Sequence, residues 1–171
     1  MSQVLYLNSI FQKLNTLNLS MQGAGGDVFT THEKITSFKS KVKLWRRNVE
    51  NSTFLNFPDL EAFLKTCDWV NAQPDLVEKM KSTVFNHLST LSENFEKYFP
   101  AELNKNLEGH MWIIKPFIAE HVDKANVGVF TQDLLELTTD LVKGFSFKGR
   151  EYYGDFWVSF LDYRNIAIIA L

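Results

Sequence analysis

Residues 27–50, DVFTTHEKITSFKSKVKLWRRNVE, decide the fold class of this chain. The stretch contains neither proline nor glycine, and Asp27 is a residue type that caps helix N-termini. At about 100° per residue, five apolar side chains share one narrow stripe along it. They are Ile35, Phe38, Val42, Trp45 and Val49. The pattern predicts a helix that runs to about Glu50 and buries this stripe.

A first helix is predicted before this stretch, from about Ser2 to Met21. Its residues at helical intervals are Val4, Leu7, Phe11, Leu14, Asn18 and Met21. We expect it to bury Leu14, Leu17 and Met21 and to stop at Gly23, which is free to adopt positive φ.

Two prolines mark the next helix starts, because a first-turn proline loses no helical hydrogen bond. Pro58 opens a short helix whose inner face comprises Leu60, Phe63, Leu64 and Cys67. Pro74 opens a long helix that ends at Pro100. Its apolar residues are Val77, Met80, Val84, Leu88, Leu91, Phe95 and Tyr98. We expect the two long helices to pack together.

Helical periodicity fails between Ala101 and Val129, which predicts an ordered, irregular excursion anchored by its aromatic residues. A fifth helix is expected from Thr131 to about Val142, ended by Gly144. Its apolar residues are Leu134, Leu135, Leu137, Leu141 and Val142. The last segment, 152–171, ends in an apolar run without a stop signal, as if cut inside an element. We expect one all-α domain over residues 1–171, with a long-helix subdomain at 1–100, the excursion at 101–129 and C-terminal helices at 130–171.

The amino-acid composition excludes several classes of protein and of binding partner. The chain has 171 residues, of which 45% are apolar and fifteen are Phe, so it can form a globular core. A net charge of −2 gives no overall attraction to nucleic acid, so any DNA contact must be local. A single cysteine excludes an internal disulfide and favours a reducing, intracellular compartment. No apolar run reaches the about 20 residues that span a bilayer, so no membrane partner is expected.

The strongest binding signal is the basic face of the 27–50 helix. Lys39, Lys43, Arg46 and Arg47 lie beside the apolar stripe, and Lys34 and Lys41 bring the cluster to six of the chain's eighteen basic residues. Such a cluster can follow a phosphate backbone by releasing counterions. We predict a DNA contact at Lys39, Lys43, Arg46 and Arg47, without base-specific recognition because no recognition helix is identifiable.

The sequence contains only weak signals for a catalytic or metal-binding site. Asp133, Glu136 and Asp140 share one predicted helical face, as metal-binding carboxylates could, but amphipathicity alone produces this spacing. The four histidines are scattered, and Cys67 has no basic neighbour to activate it. We therefore predict no catalytic residue, no metal ligand and no cofactor.

Five segments, in chain order, resemble hAT-type transposases and their domesticated relatives. Residues 10–23, IFQKLNTLNLSMQG, resemble the family's F-x-x-L-N-x-L-N-x-x-L-Q-G passage. Residues 35–45, ITSFKSKVKLW, are similar to I-x-x-F-x-x-K-L-x-L-W. Residues 115–117, KPF, are similar to the family's N-P-F. Residues 133–140, DLLELTTD, are similar to E-L-I-E-L-Q-x-D, and residues 156–159, FWVS, are similar to F-W-x-S. Relatives with such segments include BED-type zinc-finger, SCAN-domain and general transcription factor II-I repeat proteins.

The resemblance implies that the chain is the helical insertion region of an RNase H-like transposase. In that family three acidic residues hold metal for DNA strand transfer. By the resemblance, two of them precede the segment at 10–23 and the third follows the segment at 156–159, so none is placed here. We expect a non-enzymatic, nuclear region that scaffolds the catalytic fold and contacts DNA.

Three alternatives stay open. The first is a domesticated module that binds a protein, or a second copy of itself, through an exposed apolar patch around residues 112–117. The second is an unrelated helical adaptor that matches the family by chance. The third is a carboxylate metalloenzyme that uses Asp133, Glu136 and Asp140.

Overall fold

The computed structural model describes residues 2–22, 27–66, 73–148 and 153–159. Within these ranges the regular elements are helices and no strand occurs, which confirms the predicted all-α class. The chain divides into two compact units, Met1–Pro100 and Ala101–Leu171. The first unit has the extent of the long-helix subdomain, and the second holds the segments expected as excursion and C-terminal helices.

Four helices are described in the first unit: α1 (Ser2–Met21), α2 (Val28–Glu50), α3 (Pro58–Thr66) and α4 (Pro74–Tyr98). Their starts follow the predicted signals. The Asp27 carboxylate accepts the N–H of Thr30 at 2.7 Å, which caps α2, and α3 and α4 begin at Pro58 and Pro74. The sequence therefore predicted these four helices close to their observed bounds.

The apolar stripe of α2 forms the centre of the first unit. All five of its predicted residues are buried. The ring of Phe38 lies 5.2 Å from that of Phe95 in α4, and α2 packs along α4, which confirms that the long helices pair. Each fully buried large apolar side chain contributes about 1.5–3 kcal/mol of transfer free energy. The core comprises Tyr6, Ile10, Phe38, Val42, Trp45, Val49, Phe54, Phe57, Leu60, Met80, Val84 and Leu88.

Helix α1 has apolar residues on two faces, and the sequence predicted the buried face only in part. Leu14 and Leu17, which we expected to be buried, pack half-buried against the core, and Met21 is half-buried as well. Tyr6 and Ile10 are buried, and the Tyr6 hydroxyl lies 2.6 Å from His87 Nδ1 in α4. Val4, Leu7 and Phe11, which we placed at helical intervals, are exposed instead. Both sets have helical spacing, so periodicity alone could not tell which set faces the core.

The turn after α2 fixes the entry to α3. Ser52 donates its N–H to the Val49 carbonyl at 2.9 Å, and Thr53 donates to the Asn48 carbonyl at 2.8 Å. This hydrogen-bond pair ends a helix through a left-handed residue, usually glycine. Here that residue is Ser52, with φ of 59°. The turn leads to Phe54 and Phe57, both buried.

The second unit consists of shorter helices. They are α5 (Glu102–Glu108), α6 (Ala119–Asp123), α7 (Thr131–Thr139), α8 (Leu141–Lys148) and α9 (Tyr153–Ser159), with 3-10 turns at Met111–Ile113 and Gly128–Phe130. The segment 101–129 is thus largely helical in short pieces, where we expected an irregular excursion. Short helices separated by glycine and proline do not produce a readable periodicity.

Two tryptophans anchor the second unit. Trp112 and Trp157 are buried with ring centroids 5.6 Å apart, and Trp157 Nε1 donates a hydrogen bond to the Ile113 carbonyl at 2.7 Å. This contact joins residues 44 positions apart in sequence and confirms the anchoring role predicted for the aromatics. It also means that the patch expected around residues 112–117 is mostly buried: Trp112, Ile113 and Pro116 are all inside.

The predicted helix from Thr131 to Val142 is broken at Asp140. Asp140 has an extended backbone, with ψ of 98°, and its carboxylate accepts the Lys143 N–H at 3.0 Å. It therefore caps a new helix, α8, in which Gly144 is an internal residue and not a terminator. The register restarts at this break, so Leu141 and Val142 are exposed while Leu134 and Leu137 are buried. Thr131 lies inside the first turn of α7, and Phe130 occupies the cap position.

Some predictions concern residues outside the described ranges. They are the helix end at Gly23, the inner-face position of Cys67 and the apolar run at 166–171. Among the helices that the structure describes, none combines the length and the apolar character needed to cross a membrane.

Candidate nucleic-acid interface

The basic side chains of α2 do not form one face in the structure. The buried stripe separates them into two sets, because α2 packs against α1 on one side and α4 on the other. Lys39, Lys43 and Arg46 contact α4, whereas Lys34 and Lys41 line a groove beside α1. The sequence cluster is therefore divided between two surfaces.

The Lys39 ammonium group already has two partners within the first unit. It lies 2.5 Å from Glu96 Oε2 and donates to the Phe99 carbonyl at 2.8 Å. The Lys39 side chain is only 14% exposed, so its charge is largely satisfied by α4 and the turn that follows it. A DNA phosphate would have to displace both partners to reach it.

The other three residues of the predicted contact differ in accessibility. Lys43 pairs with Glu96 Oε1 at 2.9 Å, although its side chain is 58% exposed. The Arg46 guanidinium lies over the ring of Phe85 in α4, 5.9 Å from its centroid. Arg47 is exposed. Lys43 and Arg47 are therefore the accessible members of the predicted set.

Glu96 reduces the positive charge of this surface. Hydrogen bonds from Lys39 and then Lys43 lower the pKa of its carboxyl below the ordinary value. The group is therefore ionised at neutral pH, and one carboxylate is shared by two ammonium groups. The α4 side of α2 consequently has less free positive charge than its sequence suggests.

A second surface, the α1–α2 groove, holds three lysines. It has a volume of about 550 Å³ and contains the side chains of Lys13, Lys34 and Lys41 with one carboxylate, Glu33. Hydroxyl groups, aromatic rings and one leucine complete its lining, contributed by Thr16, Leu17, Ser20, Ser37, Phe38 and Trp45. Three ammonium groups against one carboxylate make the groove a cationic channel along two helices.

Contacts within the first unit position two of these lysines. The Lys34 ammonium donates to the Ser20 carbonyl near the end of α1, a carbonyl that lies in the last helical turn. The Lys13 ammonium lies 5.0 Å from the centroid of the Trp45 ring, a favourable cation–π distance. Lys41 stands one heptad after Lys34 and so faces the same groove.

Lys13 was missed in the sequence analysis, although a signal was present. It is the only charged residue of α1 and lies on the same face as Tyr6, Ile10 and Leu17. A single charge on an apolar helix face indicates that the side chain reaches past the core edge to an outer surface. This signal predicts that Lys13 lies near the side of α2 that carries Lys34 and Lys41.

The acidic residues do not assemble into a metal centre in the described ranges. No group of three or more His, Cys, Asp or Glu side chains with suitable geometry occurs there. Asp140 leaves the predicted carboxylate face because it caps α8 and pairs with Lys143, Nζ to Oδ2, at 3.4 Å. Asp133 and Glu136 remain on α7.

Neither a protein-family model nor a solved structure matches this chain.

Proposed function

We propose that the chain is the non-catalytic helical region of a hAT transposase-derived protein, equivalent to the insertion in an RNase H-like fold, and that it contacts DNA phosphates through the α1–α2 groove. The resemblance supports the family and the nuclear location. Its two longest segments, 10–23 and 35–45, supply most of the groove, including Lys13, Ser20 and Lys41.

The observation that carries the DNA contact is the set of three lysines on one groove. Two of them come from α2 and one from α1, so the charge extends across both helices. Each phosphate neutralised by a lysine changes the slope of log K against log salt by about −0.9 on duplex DNA. Three lysines thus contribute a slope of about −2.7. Lys43 and Arg47 on the opposite side would contribute about −1.8 if they bind instead.

The test replaces Lys13, Lys34 and Lys41 together by Gln and measures duplex affinity by fluorescence anisotropy between 50 and 200 mM salt, about the range in which counterion release is resolved. A matched control replaces Lys65, Lys79 and Lys97, exposed lysines elsewhere in the first unit, by Gln. We expect the groove variant to lose affinity and flatten the slope while the control changes neither. Equal losses in both variants would show an effect of net charge alone and overturn the groove assignment.

A third variant, Lys43→Gln with Arg47→Gln, tests the contact predicted from the sequence. Lys39 is left intact in it, because its ammonium holds Glu96 and Phe99 in place. A flattened slope in this double variant alone would move the DNA contact to the α4 side of α2. No DNA binding by the unaltered chain would remove the DNA proposal on both sides.

A scaffolding or protein-binding role is favoured by the exposed face of α1. Val4 is 66% exposed and Phe11 64% exposed, with Leu7 between them. The only charge on α1, Lys13, points into the groove, so this face is uncharged as well as apolar. Exposed apolar residues on one helix face are typical of a surface that another protein covers.

Sedimentation velocity of the purified chain without DNA tests this second role. We expect concentration-dependent self-association, or capture of a separately produced RNase H-like portion of a related transposase, and loss of either in a Val4→Ser, Phe11→Ser chain. Exposed Val158, in the second unit, offers a control as Val158→Ser. Association that persists in the α1 variant would exclude this face as the contact.

A further inference from the structure

The second unit contains a pocket that the proposed function does not use. It lies between the 115–118 connection, the end of α7 and the first turns of α8, and has a volume of about 470 Å³. Small-molecule sites in proteins generally enclose about 300–1,000 Å³. The lining residues are Lys115, Phe117, Ile118, Thr138, Asp140, Leu141, Gly144 and Phe147.

Aromatic rings form one wall of the pocket. The rings of Phe117 and Phe147 lie 5.6 Å apart, and both contact Phe156, a fully buried residue of α9. Gly144 belongs to the opposing backbone, where a Cβ atom would lie 3.4 Å from Phe117 Cδ1. A large side chain at position 144 would therefore occupy the space beside this wall.

The acidic and hydroxyl groups of the pocket are already satisfied. Asp140 accepts the Lys143 N–H and pairs with the Lys143 ammonium, contacts that also lower the pKa of its carboxyl. The Thr138 hydroxyl lies 2.8 Å from the Leu134 carbonyl and 3.1 Å from the Pro116 carbonyl. Neither group requires a hydrogen-bond partner from a ligand.

Lys115 is the charged lining residue that can bind an anionic ligand. It is exposed at the rim, and within the described part of the second unit it forms no salt bridge. Beside it, Ile118 and Leu141 extend the apolar surface outward, with Leu141 77% exposed. The pocket thus combines an aromatic wall, an apolar rim and one cation.

We propose that this pocket binds a small amphipathic anion, with an aromatic or medium-chain aliphatic body against Phe117 and Phe147 and one carboxylate or sulfonate group on Lys115. The apolar body is removed from water at the aromatic wall, and the anionic group stays at the rim, where Lys115 meets it. The inference does not depend on the proposed DNA contact, since it concerns the other unit.

Anilinonaphthalene sulfonate is a suitable probe because it has an aromatic body and one anionic group, and decanoate serves as an aliphatic competitor. In fluorescence titrations of the full chain we expect saturable binding that decanoate displaces. Gly144→Leu should weaken binding at least tenfold by filling the pocket. Lys115→Gln should weaken it about three- to fivefold, the upper range for one exposed ion pair. Lys124→Gln, a charge-matched change in the same unit, should leave it unchanged.

Two further measurements locate the site and test its charge preference. In ¹H–¹⁵N spectra, shift changes on adding the probe should be confined to residues 115–118 and 138–147. Phenylnaphthylamine, which lacks the sulfonate, should bind the unaltered chain more weakly than the sulfonate does, and Lys115→Gln should remove that difference.

Three results would overturn the proposal: tight binding retained in Gly144→Leu, equal losses in Lys115→Gln and Lys124→Gln, or shift changes outside the pocket. Thermal unfolding monitors the folding of each variant. If Gly144→Leu does not fold, Gly144→Val takes its place as a smaller blocking change in the same position.

Discussion

Replacing Glu96 by Gln should destabilise the first unit by about 1 kcal/mol at pH 7 and by almost nothing at pH 3. The Glu96 carboxylate lies 2.5 Å from Lys39 Nζ and 2.9 Å from Lys43 Nζ. Exposed ion pairs contribute about 0.2–1 kcal/mol, and Glu96 and Lys43 are exposed enough to fall in that range. The Lys39 pair belongs at its upper end because Lys39 is largely buried. The two pairs together therefore give about 1 kcal/mol.

The pH dependence follows from the carboxyl of Glu96. Its pKa in the folded chain lies below the ordinary value, about 4.3 in an unfolded peptide. A group with a lowered folded-state pKa stabilises the fold fully above the unfolded pKa, and this stabilisation is lost as the pH falls through the folded pKa. The difference between the two chains should therefore shrink below about pH 4.

Urea unfolding followed by circular dichroism at 222 nm measures these free energies. The Leu88→Ala variant identifies the unfolding transition of the first unit. Leu88 is a buried residue of α4, and the cavity left by its truncation should lower the free energy of unfolding by about 2–5 kcal/mol. Glu78→Gln is the matched control, since Glu78 lies 3.8 Å from Lys81 on the same helix and is well exposed. A difference for Glu96→Gln that is as large at pH 3 as at pH 7 would refute the ion-pair reasoning.

Three further changes test the described contacts by thermal or urea unfolding. Trp157→Phe should cost the second unit about 1–3 kcal/mol, because the buried Ile113 carbonyl loses its donor; an unchanged midpoint would contradict this. Asp27→Ala should cost about 1 kcal/mol by removing the α2 cap, whereas Asp27→Asn, which keeps an acceptor oxygen, should cost less. Ser52→Gly should stabilise the first unit by up to about 1 kcal/mol, since Ser52 has positive φ; a loss of stability would show that its side chain outweighs the backbone strain.

The long helices could be predicted because their signals are local. Asp27, Pro58 and Pro74 mark helix starts through chemistry that needs no tertiary contact. The α2 stripe could also be predicted, since five apolar residues share one face of that helix and most of its other residues are polar. For such a helix, periodicity determines the buried side.

The errors occurred where two local patterns compete. Helix α1 has apolar residues on both faces, and packing against α2, α3 and α4 selects the face with Tyr6, Ile10 and Leu17, of which only Leu17 was expected to be buried. At Asp140 the apolar spacing continues, but the side chain caps a new helix by accepting the Lys143 N–H. The division of the candidate site follows from helical geometry, because at about 100° per residue Lys41 and Lys43 lie on opposite sides of the apolar stripe. The packing of α1 and α4 then shows which helix each basic set faces.

This division has a consequence for binding stoichiometry. Lys41 and Lys43 are two residues apart, so their directions differ by about 200° around the α2 axis. A straight duplex is a rigid rod over this distance, since its persistence length is about 50 nm, and it can follow one side of α2 but not both. If both lysine sets bind phosphates, one chain must join two separate duplex segments, and titrations should saturate at two short duplexes per chain.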